Sequence, residues 1–304
     1  MKTLAVIGVP GAALIKGQPH IHHSFGLVIE ELARDWERVL LAGPALPEDD
    51  PQLDFALPEN VVFHGLTAMS SALQGLRREG RMARAYLPIL DQADAVFIRG
   101  VMIPAVDTLH RESGKRGLPT LHWLVGNPMA LLQSHRRQGW LKDRLGQLFV
   151  WSWERRLRGA ASKAGSVLLC NGKEIAARYR GLPTRITVST SLRSEDIPVP
   201  RRDTCQGEII QLLCVAFVRP EKGLEYLLQA LARLKTDRPV HLTLVGSRDR
   251  YPDYQARLDQ LARELHLSPP VAWTGHADQA ALATHFGQAD LFVLPTLSEG
   301  TPRV

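Results

Sequence analysis

The sequence predicts an α/β protein built from two doubly wound domains. Strand-length apolar runs alternate with helix-like stretches, and the alternation stops at a polar, proline-bearing segment before it starts again. The 304 residues are also too many for one ordinary core and fit two domains of typical size. We therefore expect domains over residues 1–194 and 207–304, joined by a linker over 195–206.

Seven apolar runs of the first half are predicted strands, and several end in glycine, as strand-to-helix turns of parallel sheets often do. They are TLAVIGV (3–9), RVLLAG (38–43), NVVFHG (60–65), DAVFIRG (94–100), PTLHWLVG (119–126), SVLLC (166–170) and RITVST (185–190). Apolar residues recur at helical spacing over 23–36, and less regularly over 69–90. Gly8, Pro10 and Gly11 interrupt the N-terminal run, which favours a strand and a glycine-containing loop over a signal peptide.

The second half repeats the alternation. Its predicted strands are EIIQLLCVAF (208–217), VHLTLVG (240–246), VAWTG (271–275) and LFVLP (291–295). Its predicted helices are GLEYLLQALARLK (223–235), YQARLDQLARELH (254–266) and QAALATHFGQA (279–289). The last strand has no helix after it within the sequence, so we expect the second domain to be incomplete in this chain.

Composition and charge narrow the class of protein. Hydrophobic residues make up 45% and charged residues 22%, which is typical of a globular protein. A formal net charge of +6 favours anionic partners such as phosphorylated metabolites, nucleic acid or acidic lipid, without choosing among them. The three cysteines show no metal-ligand spacing, which favours a reducing cytoplasm. No apolar run reaches the roughly 18 to 20 residues that span a bilayer as a helix.

The stretch FVRPEKGLEYLLQALARL (217–234) places Arg219, Lys222 and Gly223 between a strand and a helix. Helix N-terminal amides and a lysine together form an anion site suited to a diphosphate. On local chemistry alone, the alternative is that Glu221 and Lys222 are solvated loop charges.

A second predicted helix start follows the last strand, in LSEGTPRV (297–304). Thr301 is placed to cap a helix there. A carboxylate such as Glu299 would repel phosphate unless it faced neutral hydroxyls, as on a sugar ring. The two sites together therefore suggest a nucleotide-sugar.

With PEKGLEYLLQAL, HLTLVG, VAWTGH and QADLFVLPTLSEGTPRV, the sequence resembles the retaining GT-B glycosyltransferases of family 4. In coarse order the resemblance covers the whole chain, and in the first half it rests on CNGKEIAARY and RITVSTSL. It implies a GT-B architecture, in which two Rossmann-like domains face a cleft. It also implies a sugar transfer, with retention, from a nucleoside diphosphate sugar to an acceptor hydroxyl.

The resemblance also implies roles for single residues. Lys222 would contact the donor diphosphate, with Arg219 and Gly223 beside it, and Glu299 would face the donor sugar as a catalytic residue together with Lys222. The amides of Gly300 and Thr301 would approach the sugar and the phosphate. The family needs no metal, so we expect neither a metal nor another cofactor.

The sequence departs from the family pattern at three places. Phe217 stands where the family usually has an arginine, so Arg219 is the candidate substitute. A frequent histidine after a first-domain strand has no clear counterpart; His122, within the strand, and Asn127, after it, are acceptor-side candidates, and strand packing is the alternative for His122. The second glutamate of the family's donor motif would lie beyond Val304, so we expect an incomplete, weakly active chain that continues in the full-length gene product.

The N-terminal loop adds Gly11 and Gly17 as acceptor-side candidates, because the family uses a glycine-bearing loop there. His20, His22 and His23 follow in the same loop. They have no cysteine or carboxylate at ligand spacing, so we expect histidines near the acceptor rather than a metal site.

Residues 131–159 mix tryptophans and leucines with arginines and lysines. Such a stretch can lie on anionic lipid. The favoured alternative is a helix that buries its aromatic face in the first domain.

The sequence therefore predicts a cytoplasmic glycosyltransferase of cell-envelope or polysaccharide synthesis, peripheral at the inner membrane face if residues 131–159 touch lipid. Its expected partners are a nucleoside diphosphate sugar and a glycan or lipid-linked acceptor, and no nucleic acid. A GT-B nucleotide-sugar epimerase and a non-catalytic binding fragment are the alternatives.

Overall fold

The computed structural model describes residues 2–50, 53–67, 79–100, 102–129, 140–188, 203–248, 251–267 and 271–297. They form two compact units: the described residues of the first lie within 2–188, and those of the second within 203–297. The predicted ends of the first domain and the beginning of the linker fall outside the described residues.

The first unit is built on a parallel sheet of seven strands. In chain order the unit contains β1 (Thr3–Ile7), β2 (Ala12–Ile15), β3 (Gln18–Ile21), β4 (Arg38–Pro44), β5 (Phe55–Ala56), β6 (Val61–Leu66), β7 (Ala95–Arg99), β8 (Thr120–Leu124), β9 (Val167–Asn171) and β10 (Thr184–Thr187). The seven strands of the parallel sheet follow the order β10-β9-β8-β7-β1-β4-β6. All seven predicted strands are therefore confirmed.

Both faces of this sheet are covered, as the inner strand β1 shows. All five side chains of β1 are buried. Leu4 and Val6 belong to one hydrophobic core, and Ala5 and Ile7 to another. Because successive side chains of a strand point to opposite faces, a continuous apolar run is what a doubly covered parallel strand requires.

Five helices of the first unit are described: α1 (His23–Arg34), α2 (Glu79–Leu90), α3 (Val106–Lys115), α4 (Trp140–Lys163) and α5 (Lys173–Arg178). Helix α1 confirms the predicted helix over 23–36, and the His22 side chain caps it by accepting a hydrogen bond from the Ser24 amide. Among the described helices none is long and apolar enough to cross a membrane.

A small antiparallel sheet, β2-β3-β5, was not predicted from the sequence. The expectation for this region was a glycine-containing loop, and that was wrong for residues 12–21. Strands β2 and β3 pair as a hairpin around Lys16 and Gly17, whose φ angles are 51° and 82°. Two positive φ angles in a two-residue turn match the twist of a hairpin, which explains the tight connection.

The second unit has a parallel sheet of four strands in the order β13-β12-β11-β14. Its elements are β11 (Ile210–Val215), a 3₁₀ turn (Pro220–Lys222), α6 (Leu224–Arg233), β12 (Val240–Val245), α7 (Pro252–Glu264), β13 (Val271–Gly275), α8 (Gln279–Gln288) and β14 (Leu291–Phe292). Every predicted strand and helix of this half is confirmed, although β14 is shorter than the predicted run and both of its side chains are exposed.

Candidate functional site

The strand order of the second unit locates its candidate site. Strand β11 lies between β12 and β14, so the order of strands reverses beside β11. Ligands of open parallel sheets bind outside the carboxyl ends of the strands at such a switch point. The described segments that leave the sheet there are residues 216–223 after β11 and residues 293–297 after β14.

The loop over residues 216–223 is fixed at both ends. Gly246, which follows β12, lies so close that a side-chain Cβ in its place would be 1.9 Å from the Ala216 carbonyl oxygen. The Val218 amide donates to the Ser247 carbonyl at 3.2 Å. At the other end Gly223 has a φ of 63°, and α6 begins at the next residue. Lys222 is thereby held directly before a helix N-terminus.

The Glu221 carbonyl joins the two loops of the switch point. It accepts hydrogen bonds from the Leu297 amide at 2.8 Å and from the Thr296 hydroxyl at 3.2 Å. Beside it, a Cβ on Gly223 would lie 2.4 Å from the Pro295 carbonyl oxygen. The two loops therefore pack together as one floor of the candidate site.

The Glu221 side chain is buried, which excludes the interpretation of this residue as a solvated loop charge. Its Oε1 lies 3.8 Å from Nη1 of Arg219. Its Oε2 is buried without a hydrogen-bond partner among the described residues. The carboxylate therefore depends on the Arg219 guanidinium for charge compensation.

Arg219 also contacts the residue that replaces the family's usual arginine. Its guanidinium carbon lies 4.9 Å from the centre of the Phe217 ring, which is a cation–π distance. The positive charge of the Arg219 guanidinium is thus held in this loop by two neighbours, the ring of Phe217 and the carboxylate of Glu221. A planar guanidinium so held is suited to phosphate oxygens.

Lys222 is half-buried at the end of the 3₁₀ turn. Burial raises the pKa of the Cys214 thiol in β11 to about 12, and the charge of Lys222 acts in the opposite direction. The structure thus places Lys222, Arg219 and Gly223 in one loop after β11.

The other predicted donor-site residues are Glu299, Gly300 and Thr301. All three lie outside the described residues.

The acceptor-side candidates are spread over the first unit. Gly11 is buried near β1, with a φ of 144° and the Leu46 side chain against it. Asn127 follows β8, and its Oδ1 accepts from the Met129 amide at 3.1 Å. Gly17 lies at the exposed tip of the β2–β3 hairpin. The structure does not place Gly17 beside Gly11, because the whole of β2 separates them.

His122 is completely buried in β8 and is one link in a chain of hydrogen bonds. Its Nε2 lies 2.9 Å from the Gly100 carbonyl oxygen and its Nδ1 lies 3.0 Å from Nε2 of His110. Nδ1 of His110 lies 2.8 Å from the Ser166 hydroxyl. Because the Gly100 carbonyl can only accept, His122 donates to it, His110 donates to His122, and Ser166 donates to His110.

These hydrogen bonds favour the strand-packing alternative for His122 over a contact with the acceptor. Burial lowers the pKa of His122 to about 4, partly offset by the bond to the Gly100 carbonyl. Burial, together with the neighbouring His122, lowers the pKa of His110 to about 3. Both histidines are therefore neutral at physiological pH, as the chain of donors requires.

Arg99 is a candidate that the sequence reasoning missed. It ends β7, next to β1, where the order of strands in the seven-stranded sheet reverses. Its guanidinium carbon lies 4.5 Å from the centre of the Phe25 ring and 5.6 Å from that of Trp123. The sequence does carry a signal for this residue, because Arg99 is a charged side chain at the end of the apolar run DAVFIRG.

The three N-terminal histidines have separate local partners. His20 is hydrogen-bonded to the Gln18 carbonyl at 3.0 Å, His22 caps α1, and the ring of His23 packs edge-on against Phe55. Among the described residues, no three histidine, cysteine or acidic side chains cluster as metal ligands would.

A comparison with known families bears on the second unit. Residues 204–304 match the family described as Glycosyl transferases group 1, so this part of the chain is similar to the domains of that family. No curated protein matches the sequence.

Three solved structures illustrate what the chain as a whole is similar to. A sucrose-phosphate synthase from Thermosynechococcus elongatus has 15% identity and a TM-score of 0.69, over 99% of this chain and 77% of that one. An α,α-trehalose-phosphate synthase (UDP-forming) from Burkholderia xenovorans, in complex with glucose-6-phosphate, has 12% identity and a TM-score of 0.67. The match covers 99% of this chain and 81% of that one. HepE from Anabaena, in complex with UDP and glucose, has 14% identity and a TM-score of 0.61, over 97% and 74%. At these identities the likeness establishes the fold, which is GT-B.

Proposed function

We propose that this chain transfers a sugar, with retention of configuration, from a nucleoside diphosphate sugar to an acceptor hydroxyl, as the family 4 enzymes do. One observation carries the proposal. The loop over residues 216–223 holds Lys222 at the switch point of the sheet, directly before the start of α6, inside the part of the chain that matches glycosyltransferases.

The chemistry that such a loop supplies is stabilisation of the leaving group. When the bond between sugar and diphosphate breaks, negative charge grows on the diphosphate. Lys222, the guanidinium of Arg219 and the amides at the start of α6 would stabilise that charge more strongly in the transition state than in the bound donor. We assign Glu299 to the hydroxyls of the donor sugar and the amides of Gly300 and Thr301 to its phosphate side.

The similar structures support the classes of donor and acceptor. HepE is solved with UDP and glucose, and the trehalose-phosphate synthase with a sugar phosphate. For this chain we propose a nucleoside diphosphate hexose as donor, a glycan or lipid-linked sugar as acceptor, and a role in cell-envelope or polysaccharide synthesis in the cytoplasm, without a metal.

A panel of UDP-, GDP- and ADP-sugars tests this proposal. We expect one of them to raise the melting temperature of the protein, because a ligand that binds only the folded state stabilises it. Release of free nucleotide in the presence of an acceptor would then report turnover. The proposal fails if no member of the panel changes the melting temperature.

Lys222→Ala tests the residue that carries the argument. Losing a charged hydrogen bond to phosphate costs about 1.5 to 3 kcal/mol, so we expect binding of the preferred nucleotide to weaken roughly 10- to 150-fold. The matched control is Lys235→Ala, which removes the same charge from an exposed position in the same unit. Equal affinities of the two variants would contradict the role of Lys222.

A further inference from the structure

Helix α4 presents apolar side chains to solvent on one face. Leu145, Leu148 and Trp151 are 58%, 60% and 57% exposed. Their spacing of three residues places them next to one another along the helix. The opposite face is already packed in a core through Val150, Trp153, Leu157 and Ala161. These three outer side chains are thus not needed to hold α4 on the first unit, and a contiguous exposed apolar patch marks an interaction surface.

Positive charge flanks this patch. Arg144 and Arg155 are exposed, and neither forms an ion pair with a residue that the structure describes. The Arg155 guanidinium lies 5.5 Å from the centre of the Trp151 ring. The nearby Glu154 does not neutralise the patch, because its carboxylate is paired with Arg178 at 2.7 Å. Asp143 is the remaining acid on this part of α4.

A groove of about 500 Å³ lies between α3 and the C-terminal half of α4. Its walls carry small residues and four cations: Arg111, Lys115, Arg156 and Lys163. Three of these cations have acidic partners. Arg156 lies 2.6 Å from Asp107 and 2.5 Å from Glu79, and Lys115 lies 2.8 Å from Glu112. Arg111 lies 4.0 Å from Asp107 and 3.9 Å from Glu112. Lys163 has no ion-pair partner within the described part of the chain. Lys163 is therefore the cation of the groove that can pair with a phosphate group, and the groove is large enough to accept one.

The apolar patch and the groove open on the same side of α4. Lys163 follows Leu145 by eighteen residues, which is about five helical turns, so their side chains project in the same direction. At about 1.5 Å per residue the two positions are roughly 27 Å apart along the helix. Patch and groove form one elongated surface with apolar side chains at one end and cations along its length.

We propose that this surface docks on an anionic phospholipid bilayer. Leu145, Leu148 and Trp151 enter the boundary between headgroups and acyl chains, Arg144 and Arg155 pair with headgroup phosphates, and the groove takes a lipid phosphate. Helices that lie in the membrane interface combine an apolar face with cations in this way. Charge selects this occupant over a second copy of the chain, because a symmetric contact through this surface would bring its cations against one another.

Vesicle co-sedimentation with the full chain tests the proposal. We expect binding to vesicles that mix phosphatidylcholine with phosphatidylglycerol, weaker binding at high salt, and little binding to phosphatidylcholine alone. The double variant Leu148→Glu/Trp151→Glu should lose at least about tenfold in affinity for the mixed vesicles. Its matched control is Ile209→Glu/Leu234→Glu, which alters two exposed apolar residues of the second unit.

Lys163→Glu tests the groove, and we expect it to weaken vesicle binding about fivefold or more. Unchanged melting temperatures of the variants keep a loss of binding separate from a loss of folding. The proposal is overturned by equal binding to neutral vesicles, by full binding of folded Leu148→Glu/Trp151→Glu, or by light scattering that shows a dimer which this variant abolishes. None of these readouts requires nucleotide binding, so they stand apart from a failure of the proposed sugar transfer.

Discussion

At the scale of single residues, Gly223 sets the geometry of the candidate site. Its φ of 63° and the nearby Pro295 carbonyl both exclude a side chain. We expect Gly223→Ala to destabilise the protein by about 1 to 3 kcal/mol through backbone strain and displacement of the 293–297 loop, and to weaken nucleotide binding with it. Chemical denaturation of the variant measures the first effect.

Gly287→Ala is the control for this substitution. Gly287 lies in the last turn of α8, and nothing stands within 4 Å of where its Cβ would be. Alanine stabilises a helix relative to glycine by up to about 1 kcal/mol, and by less near the helix end, so this variant should be slightly more stable than the parent. Two glycines of one unit are thus expected to respond with opposite signs, and destabilisation of equal size at both would contradict the argument.

Residue-level prediction from sequence succeeded where local chemistry is sufficient and failed where packing decides. The glycine and lysine of the PEKG segment were identified correctly as loop residues at a helix start. The neighbouring Glu221 looks equally polar in the sequence, yet it is buried, and its carbonyl is bonded to the loop after β14. That loop is more than seventy residues away along the chain, so no local pattern carries the information.

At the scale of elements, the chain of hydrogen bonds from Ser166 through His110 and His122 to Gly100 ties α3 to β8 and to the segments beside them. In the unfolded chain both histidines have a pKa near 6.5, and in the folded state it is lower. The unfolded state therefore binds more protons below pH 6.5, and stability falls as the pH falls through this range. We expect a loss of about 1.5 kcal/mol per histidine between pH 6.5 and pH 5, measured by urea denaturation.

Two variants separate this effect from general acid denaturation. His110→Gln removes one of the two buried histidines, so the difference in unfolding free energy between the two pH values should shrink. His276→Gln changes an exposed histidine and should leave that difference as it is. An undiminished pH dependence in His110→Gln would show that the buried pair is not its source.

Elements were predictable to different degrees for a physical reason. A buried parallel strand can be recognised in a sequence by a continuous apolar run, and each run that was predicted to be a strand is a strand in the structure. The β2–β3 hairpin has only partly buried strands, and its turn is Lys16-Gly17 rather than the common asparagine-glycine pair. Its third strand, β5, is two residues long, which is below what periodicity can detect.

At the scale of the whole molecule, the cysteines report on the two units separately. Cys170 lies in β9 of the first unit and Cys214 in β11 of the second; both are fully buried, and burial raises the pKa of each thiol. Cys205 is partly exposed. We expect a thiol reagent to label one cysteine in the native protein and three after denaturation.

Mass spectrometry of the labelled protein identifies which thiols have reacted. Labelling of Cys170 and Cys214 at rising urea concentrations then follows each unit by itself. Rapid modification of either thiol without denaturant would contradict the burial described for that unit.

The division into two α/β units follows from the restart of the strand–helix alternation, which is a property of the sequence as a whole. The candidate site is harder to predict, because the loops after β11 and β14 meet only once the strands take the order β13-β12-β11-β14. Alternation shows that a sheet is parallel, whereas the order of its strands depends on side-chain packing across distant segments.

The Glu221 carbonyl has a consequence for how occupancy of the site can be observed. The amide of Leu297 donates to this carbonyl, one residue before Lys222. A ligand that restrains Lys222 therefore also restrains the acceptor of that amide hydrogen. A bound diphosphate should therefore slow hydrogen–deuterium exchange of the Leu297 amide, although this amide lies on the other loop of the site. The measurement needs neither a labelled ligand nor turnover.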